Sequence, residues 1–315
     1  MKDKLDRLNI TVLLGGPSAE REISLKSGAC VTGALRSLGH QVSEVDPRTG
    51  ELKLPANIDV VFIALHGTYG EDGTVQQQLE ALNVAFTGCD SVASRVAFDK
   101  VLTKQRCIDS GIPTARFVVL DSPRASWPAG WRPPVVLKPV RQGSSVGLQF
   151  VDRVDGLKTA LAEALRYDRE VLMEERIVGR EVTVGILAGE ALPVVEIRPK
   201  QGGFDYHNKY TAGATEYSCP ASFPADVTAR IQAAGSEAFE AVGGRDFGRV
   251  DVMINEAGEP IILEVNTVPG LTDTSLLPKA AAAAGLSFPQ LCQRMVDLAR
   301  ARVPLMAGFM GSSVR

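Results

Sequence analysis

No apolar stretch in the 315-residue chain approaches the roughly 18 residues that a membrane span requires, and its opening MKDKLDRLNI has no signal-peptide core. Both absences point to a cytoplasmic protein that enters no membrane. Long blocks of one charge are also lacking, and the formal net charge is only -3. Composition therefore marks no nucleic-acid or acidic-lipid partner, and leaves small neutral or zwitterionic ones open. The five cysteines, at 30, 89, 107, 219 and 292, are odd in number and never form a CxxC pair. That argues against a disulfide frame or a zinc site and suggests buried, reduced thiols. There is no internal repeat, and no GxxxxGK[ST] run of the kind that builds a P-loop.

What is present is a chain long enough for two or three domains with a well-buried core. Val12 to Leu14 reads as a strand entering Gly15-Gly16, followed by a helix from about Ile23 to Leu38 and strands near 41–45 and 59–65. Residues 1–98 thus read as an open α/β unit. Residues 99–185 read as a smaller α+β unit, with strands near 117–120, 134–138, 148–151 and 171–174 and a helix carrying Leu157, Leu161 and Leu165. Residues 186–315 form a third unit, with strands near 248–254 and 260–266 around the turn at 255–258. Its last helix starts at Ser287, with Gln290 three residues on as a capping box. The polar stretch 199–216 lacks periodicity and reads as a lid or binding loop.

The strongest chemical constellation is Gly248-Arg249-Val250-Asp251 with Leu263-Glu264-Val265-Asn266. Side chains alternate across a strand, so Arg249 and Asp251 share one face and Glu264 and Asn266 share another. Pairing the two strands brings Asp251 within about one residue of Glu264. Two carboxylates and an amide oxygen then converge, a hard-oxygen set suited to Mg2+ that also holds nucleotide phosphates. The plainer alternative is a salt-bridged hairpin facing solvent. Against it, Glu264 and Asn266 follow the apolar run Ile261-Ile262-Leu263, where a charge needs a partner.

Lys138 ends a strand and leads into Pro-Val-Arg-Gln-Gly143-Ser144-Ser145-Val-Gly147. Small residues there free backbone and hydroxyl donors for phosphate oxygens, with Lys138 supplying charge; an ordinary hairpin loop is the alternative. Glu20, after Gly15-Gly16-Pro17-Ser18, stands at a strand-to-helix turn, where open α/β sheets place ligands. It is either the receiver of a ligand ammonium or simple compensation of a helix dipole. His66 closes another strand of the same unit, as a structural histidine or a site residue.

Together these segments resemble the ATP-grasp superfamily and, within it, the D-alanine-D-alanine ligases, from about residue 10 to 300. The runs that carry the resemblance are LLGGPSAEREISL, ALHGTYGEDGTVQ, FDK, LKPVRQGSSVG, EVLMEERIVGREVTV, YHNKYTAGATEYSCPA, GRVDVM and EVNTVPGLTDTSLLP. The resemblance implies a three-domain architecture with ATP held between the second and third units. It places Lys100 and Lys138 on the phosphates, with Ser144, Ser145 and Lys209 beside the nucleotide. The strand Glu174-Glu175-Arg176-Ile177 would meet adenine through its backbone, and Glu181 the ribose. Asp251, Glu264 and Asn266 would hold two Mg2+, with Mn2+ as a substitute. Glu20 would take the ammonium of a first D-alanine beside His66, and Ser275 with the Leu276 amide the carboxylate of a second. Tyr210 would meet Ser144 and Glu20 on closure of the polar loop, while Arg249 and the Gly270 amide stabilise the developing oxyanion.

The implied activity is ligation of two D-alanine molecules through a D-alanyl phosphate, for peptidoglycan precursors, by a homodimer. Another ATP-grasp carboxylate-amine ligase, a D-lactate or D-serine variant, and a non-catalytic nucleotide-binding regulator are the alternatives. Lys209-Tyr210 favours the dipeptide over the depsipeptide.

Overall fold

The computed structural model describes residues 7–200, 213–272 and 274–302. It is a mixed α/β molecule built on three sheets. In the first, β1 (Asn9–Leu13) lies between β2 (Gln41–Val45) and β3 (Val60–Ile63), all parallel. Such a sheet must be covered on both sides, and its apolar runs are. Ile10, Val12 and Phe62 pack in one cluster with α1 (Arg21–Ser37), while Leu13, Val61 and Ile63 pack in another with Leu79 of α2 (Thr74–Ala81). The turn from β1 to α1 runs through Gly15 and Gly16, both at positive φ.

Two helices follow in close succession, α3 (Ser91–Phe98) and α4 (Lys100–Asp109). Asp90 caps the first by accepting from the Ala93 amide, and Asp99 caps the second by accepting from Val101 and Leu102. The second sheet is antiparallel, in the order β4 (Phe117–Leu120), β7 (Val171–Glu175), β5 (Val135–Pro139), β6 (Gln149–Val151). Val135, Leu137, Val171 and Met173 face α5 (Leu157–Ala164), which leaves Val136, Lys138 and Glu174 on the opposite face.

The third sheet runs β11 (Thr215–Ser218), β10 (Val195–Pro199), β8 (Gly179–Leu187), β12 (Phe247–Asn255), β13 (Pro260–Asn266), with the short β9 (Glu190–Ala191) beside β8. β8 passes straight through residue 185, where a domain boundary was expected, because its whole length is paired to β12. Val182, Val184, Val250, Val252, Ile262 and Val265 pack against α6 (Ala225–Ala241), and α3 and α4 contribute Ala93, Ala97 and Cys107 to the same cluster. The chain then forms α7 (Leu276–Ala283) and α8 (Phe288–Ala301), the latter with the Ser287/Gln290 capping box that its sequence predicts.

Between β12 and β13 the register advances one residue on one strand and two on the other. Asp251 pairs with Glu264 and Val252 with Ile262, so Leu263 is the extra residue of a β-bulge. The stretch 199–216, expected to be loop, is strand at its ends: Pro199 closes β10 and pairs with Thr215, which opens β11. The intervening residues 201–212, Lys209 and Tyr210 among them, lie outside the described residues. Among those described, no helix is long and apolar enough to cross a membrane.

Candidate active site

The polar faces of the second and third sheets look at each other across a cavity of about 580 Å3. Strand alternation decides which side chains reach it. From the second sheet come Val136, Lys138 and Glu174, and from the third Glu181, Asp251, Met253, Leu263 and Glu264; Ser145, Glu175, Arg176 and Ile177 are also among its walls, and Lys100 enters from the first turn of α4. Of the residues expected around a nucleotide, Lys100, Lys138, Ser145, Glu174, Glu175, Ile177, Glu181, Asp251 and Glu264 line this cavity, whereas Ser144 and Asn266 are not among its walls and Lys209 lies outside the described residues.

Charge inside the cavity is arranged in pairs. Asp251 and Glu264 stand directly opposite each other in the ladder, and Arg249 stands opposite Asn266, so the four share one face. Arg249 is expected to meet a developing oxyanion, yet here it makes a two-pronged contact with Asp251, Nε to Oδ1 at 2.8 Å and Nη2 to Oδ2 at 2.7 Å. Both are nearly buried, so each is the other's natural partner. Burial opposes the guanidinium charge, but Asp251 holds the arginine well above its ordinary range. The Asn266 side-chain oxygen accepts from the Val268 amide at 3.0 Å. Lys100 Nζ donates to the Gln142 carbonyl at 2.5 Å and lies 4.0 Å from Glu264 Oε2. Burial lowers its pKa.

Glu174 departs from expectation in another way. Only its backbone is predicted to matter, but its side chain is buried and forms ion pairs with both Lys138 and Lys104. Burial works against ionisation of all three. The two lysines nevertheless hold Glu174 below the usual carboxylate range, and Glu174 holds Lys138 above the usual lysine range.

The donor chemistry fits a divalent ion. Asp251, Glu264 and Asn266 offer only oxygen ligands of the kind Mg2+ prefers. Among the described residues, no cluster of three or more His, Cys, Asp or Glu is placed to hold an ion. Two carboxylates and an amide leave coordination positions that phosphate oxygens and water would fill.

The loop after β5 reaches back to the first sheet. Ser144 and Ser145 both adopt left-handed backbone, φ 52° and 57°, unusual for residues with a side chain. The turn is held by the Val146 amide on the Gly143 carbonyl and the Leu148 amide on that of Ser145. Its root is clamped by Arg141, which spans Asp99, Asp168 and Glu170. In this conformation the Ser144 hydroxyl donates to Glu20. Gly143 sits so close that an added Cβ would lie 2.6 Å from Glu20 Oε1 and 3.6 Å from Glu71 Oε2.

His66 is buried. Its Nδ1 lies 3.2 Å from Glu71 Oε1 and its Nε2 3.0 Å from Ser27 Oγ. Ser27 Oγ in turn accepts from the Leu271 amide at 3.4 Å, next to Gly270. Ser275 precedes α7, and its hydroxyl accepts from the Thr272 amide at 3.0 Å, while a Cβ on Gly270 would stand 2.8 Å from that oxygen. Leu276 is the first residue of α7, whose leading amides have no acceptor within the helix. Gly270, Ser275 and Leu276 are not walls of the cavity; Leu271, beside Gly270, bonds Ser27, which in turn contacts His66.

Glu71, Ser27, Lys104 and Arg141 escape the sequence reading. For Glu71 the signal lay in the run LHGTYGED, five residues after His66. For Lys104 it was the four-residue step from Lys100, which puts both on one face of α4.

Comparison with known proteins agrees with this geometry. A family described as D-ala D-ala ligase C-terminus matches residues 109–297, and one described as D-ala D-ala ligase N-terminus matches residues 39–89. The D-alanine-D-alanine ligase of Methylacidiphilum infernorum is 45% identical over 294 residues, covering 93% of this chain and 96% of its own. That of Aquifex aeolicus is 44% identical over 290 residues, covering 90% and 98%. Among solved structures, the D-alanine-D-alanine ligase of Bacillus anthracis superposes with a TM-score of 0.81 at 32% identity, covering 93% of this chain and 97% of its own. A D-alanine-D-alanine ligase structure from Bacillus anthracis complexed with ATP gives 0.80 at 29% identity over the same shares. With the ATP-grasp fold and full-length relatives of this kind, the chain belongs to the D-alanine-D-alanine ligase family.

Proposed function

We propose that this chain uses ATP to join two D-alanine molecules into D-alanyl-D-alanine, a building block of peptidoglycan precursors. One observation carries the reading: a lysine-bearing face and a carboxylate-bearing face meet across one cavity, while the loop beside it contacts Glu20 of the first sheet.

The roles follow from charge. Lys100 and Lys138 take the phosphates, the backbone of Glu174 to Ile177 the adenine, and Glu181 the ribose. Asp251, Glu264 and Asn266 would hold Mg2+, or Mn2+, which would supply charge neutralisation at the phosphates. Glu20 receives the ammonium of the first D-alanine, with His66 fixed nearby by Glu71 and Ser27.

The donor carboxylate attacks the terminal phosphorus and ADP departs, which converts a poor acyl donor into an acyl phosphate. The second amine, oriented by Ser275 and the Leu276 amide on its carboxylate, attacks the acyl carbon. Phosphate leaves with the bonding pair. Arg249 and the Gly270 amide stabilise the oxyanion between these events. For this, Arg249 must swing part of its donor set from Asp251, which would then be compensated by the divalent ion. The turn with Ser144, joined on closure by the polar stretch 199–216 whose Lys209 and Tyr210 lie outside the described residues, would exclude water from the acyl phosphate. Two α+β units around the nucleotide and a homodimer, both of which rest on the resemblance, and a cytoplasmic location complete the proposal.

Phosphate release from ATP and Mg2+ tests it. Release should require D-alanine and yield D-alanyl-D-alanine. Equal turnover with L-alanine, or none with either, rejects the assignment.

A further inference from the structure

Lys104 is 1% exposed, one helical turn beyond Lys100 on α4. A lysine so deep needs a reason, because burying an ammonium without partners is costly. Its Nζ donates to Thr114 Oγ1 at 2.8 Å and to the Ala115 carbonyl at 3.2 Å, and lies 2.9 Å from Glu174 Oε2. Thr114 Oγ1 spends its own hydrogen on the Ile262 carbonyl at 2.9 Å, so toward Lys104 it only accepts. Three acceptors therefore surround the nitrogen. Two of them take its hydrogen bonds, and the third is a carboxylate oxygen at ion-pair distance, surroundings that favour the ammonium. Burial pulls its pKa down, and Glu174 opposes that pull. The Phe117 ring, 5.6 Å from Nζ, adds a favourable face.

The other oxygen of the same carboxylate, Glu174 Oε1, holds Lys138. Lys138 and Glu174 line the cavity, whereas Lys104 is not among its walls. Two ammoniums and one carboxylate sum to +1, and Lys138 is the cation of the trio that faces the cavity.

We infer that Lys104 is a positioning residue for the phosphates, one that shares Glu174 with Lys138 and so leaves Lys138 anchored but not neutralised; this rests on the nucleotide site proposed above. Without Lys104 the carboxylate belongs to Lys138 alone. The trio falls to zero net charge, and the cavity loses the field that draws a polyphosphate.

The test measures Mg-ADP affinity by calorimetry, the KM for ATP and kcat, in the full-length protein and in Lys104→Met and Lys104→Gln. The glutamine variant keeps a donor for Thr114 and removes only the charge, so it serves if the methionine variant does not fold. Affinity for ADP should fall about tenfold, and the KM for ATP rise to match, while kcat at saturating ATP changes less than about threefold. The double variant Lys104→Gln/Glu174→Gln restores the sum to +1 and should recover most of the lost ADP affinity. A lysine that only supports the fold would lower the melting temperature and leave ADP affinity unmoved. That result, or no recovery in the double variant, overturns the inference alone. A wild-type protein that binds no Mg-ADP overturns the nucleotide site itself, and the inference with it.

Discussion

Ser144, in the turn after β5, donates its hydroxyl to the carboxylate of Glu20 at the head of α1, a contact between residues 124 apart in the chain. It ties the loop over the cavity to the strand-to-helix turn that is to receive an amino acid. Both ends of this contact are open to substitution. Ser144→Ala removes one hydrogen bond to a charged group, about 1.5 to 3 kcal/mol, so the KM for the donor D-alanine should rise at least about tenfold. Glu20→Gln, which removes the charge meant for the ammonium, should cost more. Steady-state kinetics at saturating ATP measures both, and unaltered D-alanine kinetics in both variants would dismiss Glu20 as the ammonium receiver.

Asp251→Asn keeps shape and removes one carboxylate charge from the pair facing Glu264. Turnover should drop by at least about 100-fold, with the Mg2+ concentration for half-maximal rate shifted upward. A magnesium titration of ADP formation reads both quantities, and full activity at ordinary Mg2+ would refute the ligand role.

Arg249→Met separates catalysis from folding. If the guanidinium serves the oxyanion, kcat falls about 100- to 1000-fold. Because Arg249 also satisfies the nearly buried Asp251, stability should fall by about 3 to 5 kcal/mol in the absence of Mg2+. Added Mg-nucleotide should return part of that stability, since the ion would replace the arginine as partner to Asp251. A variant with lowered stability and normal kcat would confine Arg249 to a structural role.

Acid should act through Glu174. Its folded pKa lies below the ordinary value, although burial opposes this, because Lys138 and Lys104 favour the ionised form. A carboxylate depressed in the folded state contributes stability that is present above its unfolded pKa, about 4.3, and lost as pH falls through the folded value. Glu174→Gln should therefore be less stable than wild type at pH 7, and the difference should narrow below about pH 4. Urea unfolding across that range decides it, and a gap that widens toward acid would contradict the ion-pair account.

Two glycines of α1 should respond oppositely to alanine. At Gly28 an added Cβ would lie 2.4 Å from Leu14 Cβ, so Gly28→Ala should destabilise by about 1 to 3 kcal/mol as the helix is pushed off its sheet. At Gly33 no heavy atom lies within 4 Å of the added carbon, and Gly33→Ala should stabilise by about 0.5 to 1 kcal/mol through helix propensity. Thermal melts of both variants give the comparison.

The sequence showed most where a period was long or a motif dense. Pairing the strands around the turn at 255–258 places Asp251 within about one residue of Glu264, and the structure pairs them directly. The helix at 21–37 and the capping box at Ser287 were likewise readable from spacing and residue type. Of the four eight-residue helices among the described residues only α5 was readable, from its leucines at four-residue spacing; α2, α3 and α7 carry no such leucine stripe. Lys104 looked like one more polar residue of a solvated helix, because its burial depends on Thr114 and Glu174, which arrive from other elements. The Arg249 pairing with Asp251 was hidden for a different reason. Shared facing was visible, but whether two such groups bind each other or a ligand depends on how deeply both are buried.

The bulge at Leu263 divides β13 into two frames, since the inward-facing positions are counted differently on either side of it. Ile262 and Val265 are both inward although three residues apart, and that odd step lets Leu263 and Glu264, neighbours in sequence, border the same cavity. Losing one residue there would merge the frames and turn Glu264 and Asn266 toward Val250 and Val184. Length changes in this chain are thus tolerable in the hairpin turn at 255–258 but not in the stretch 262–266, where a single codon separates a cavity wall from an apolar interior.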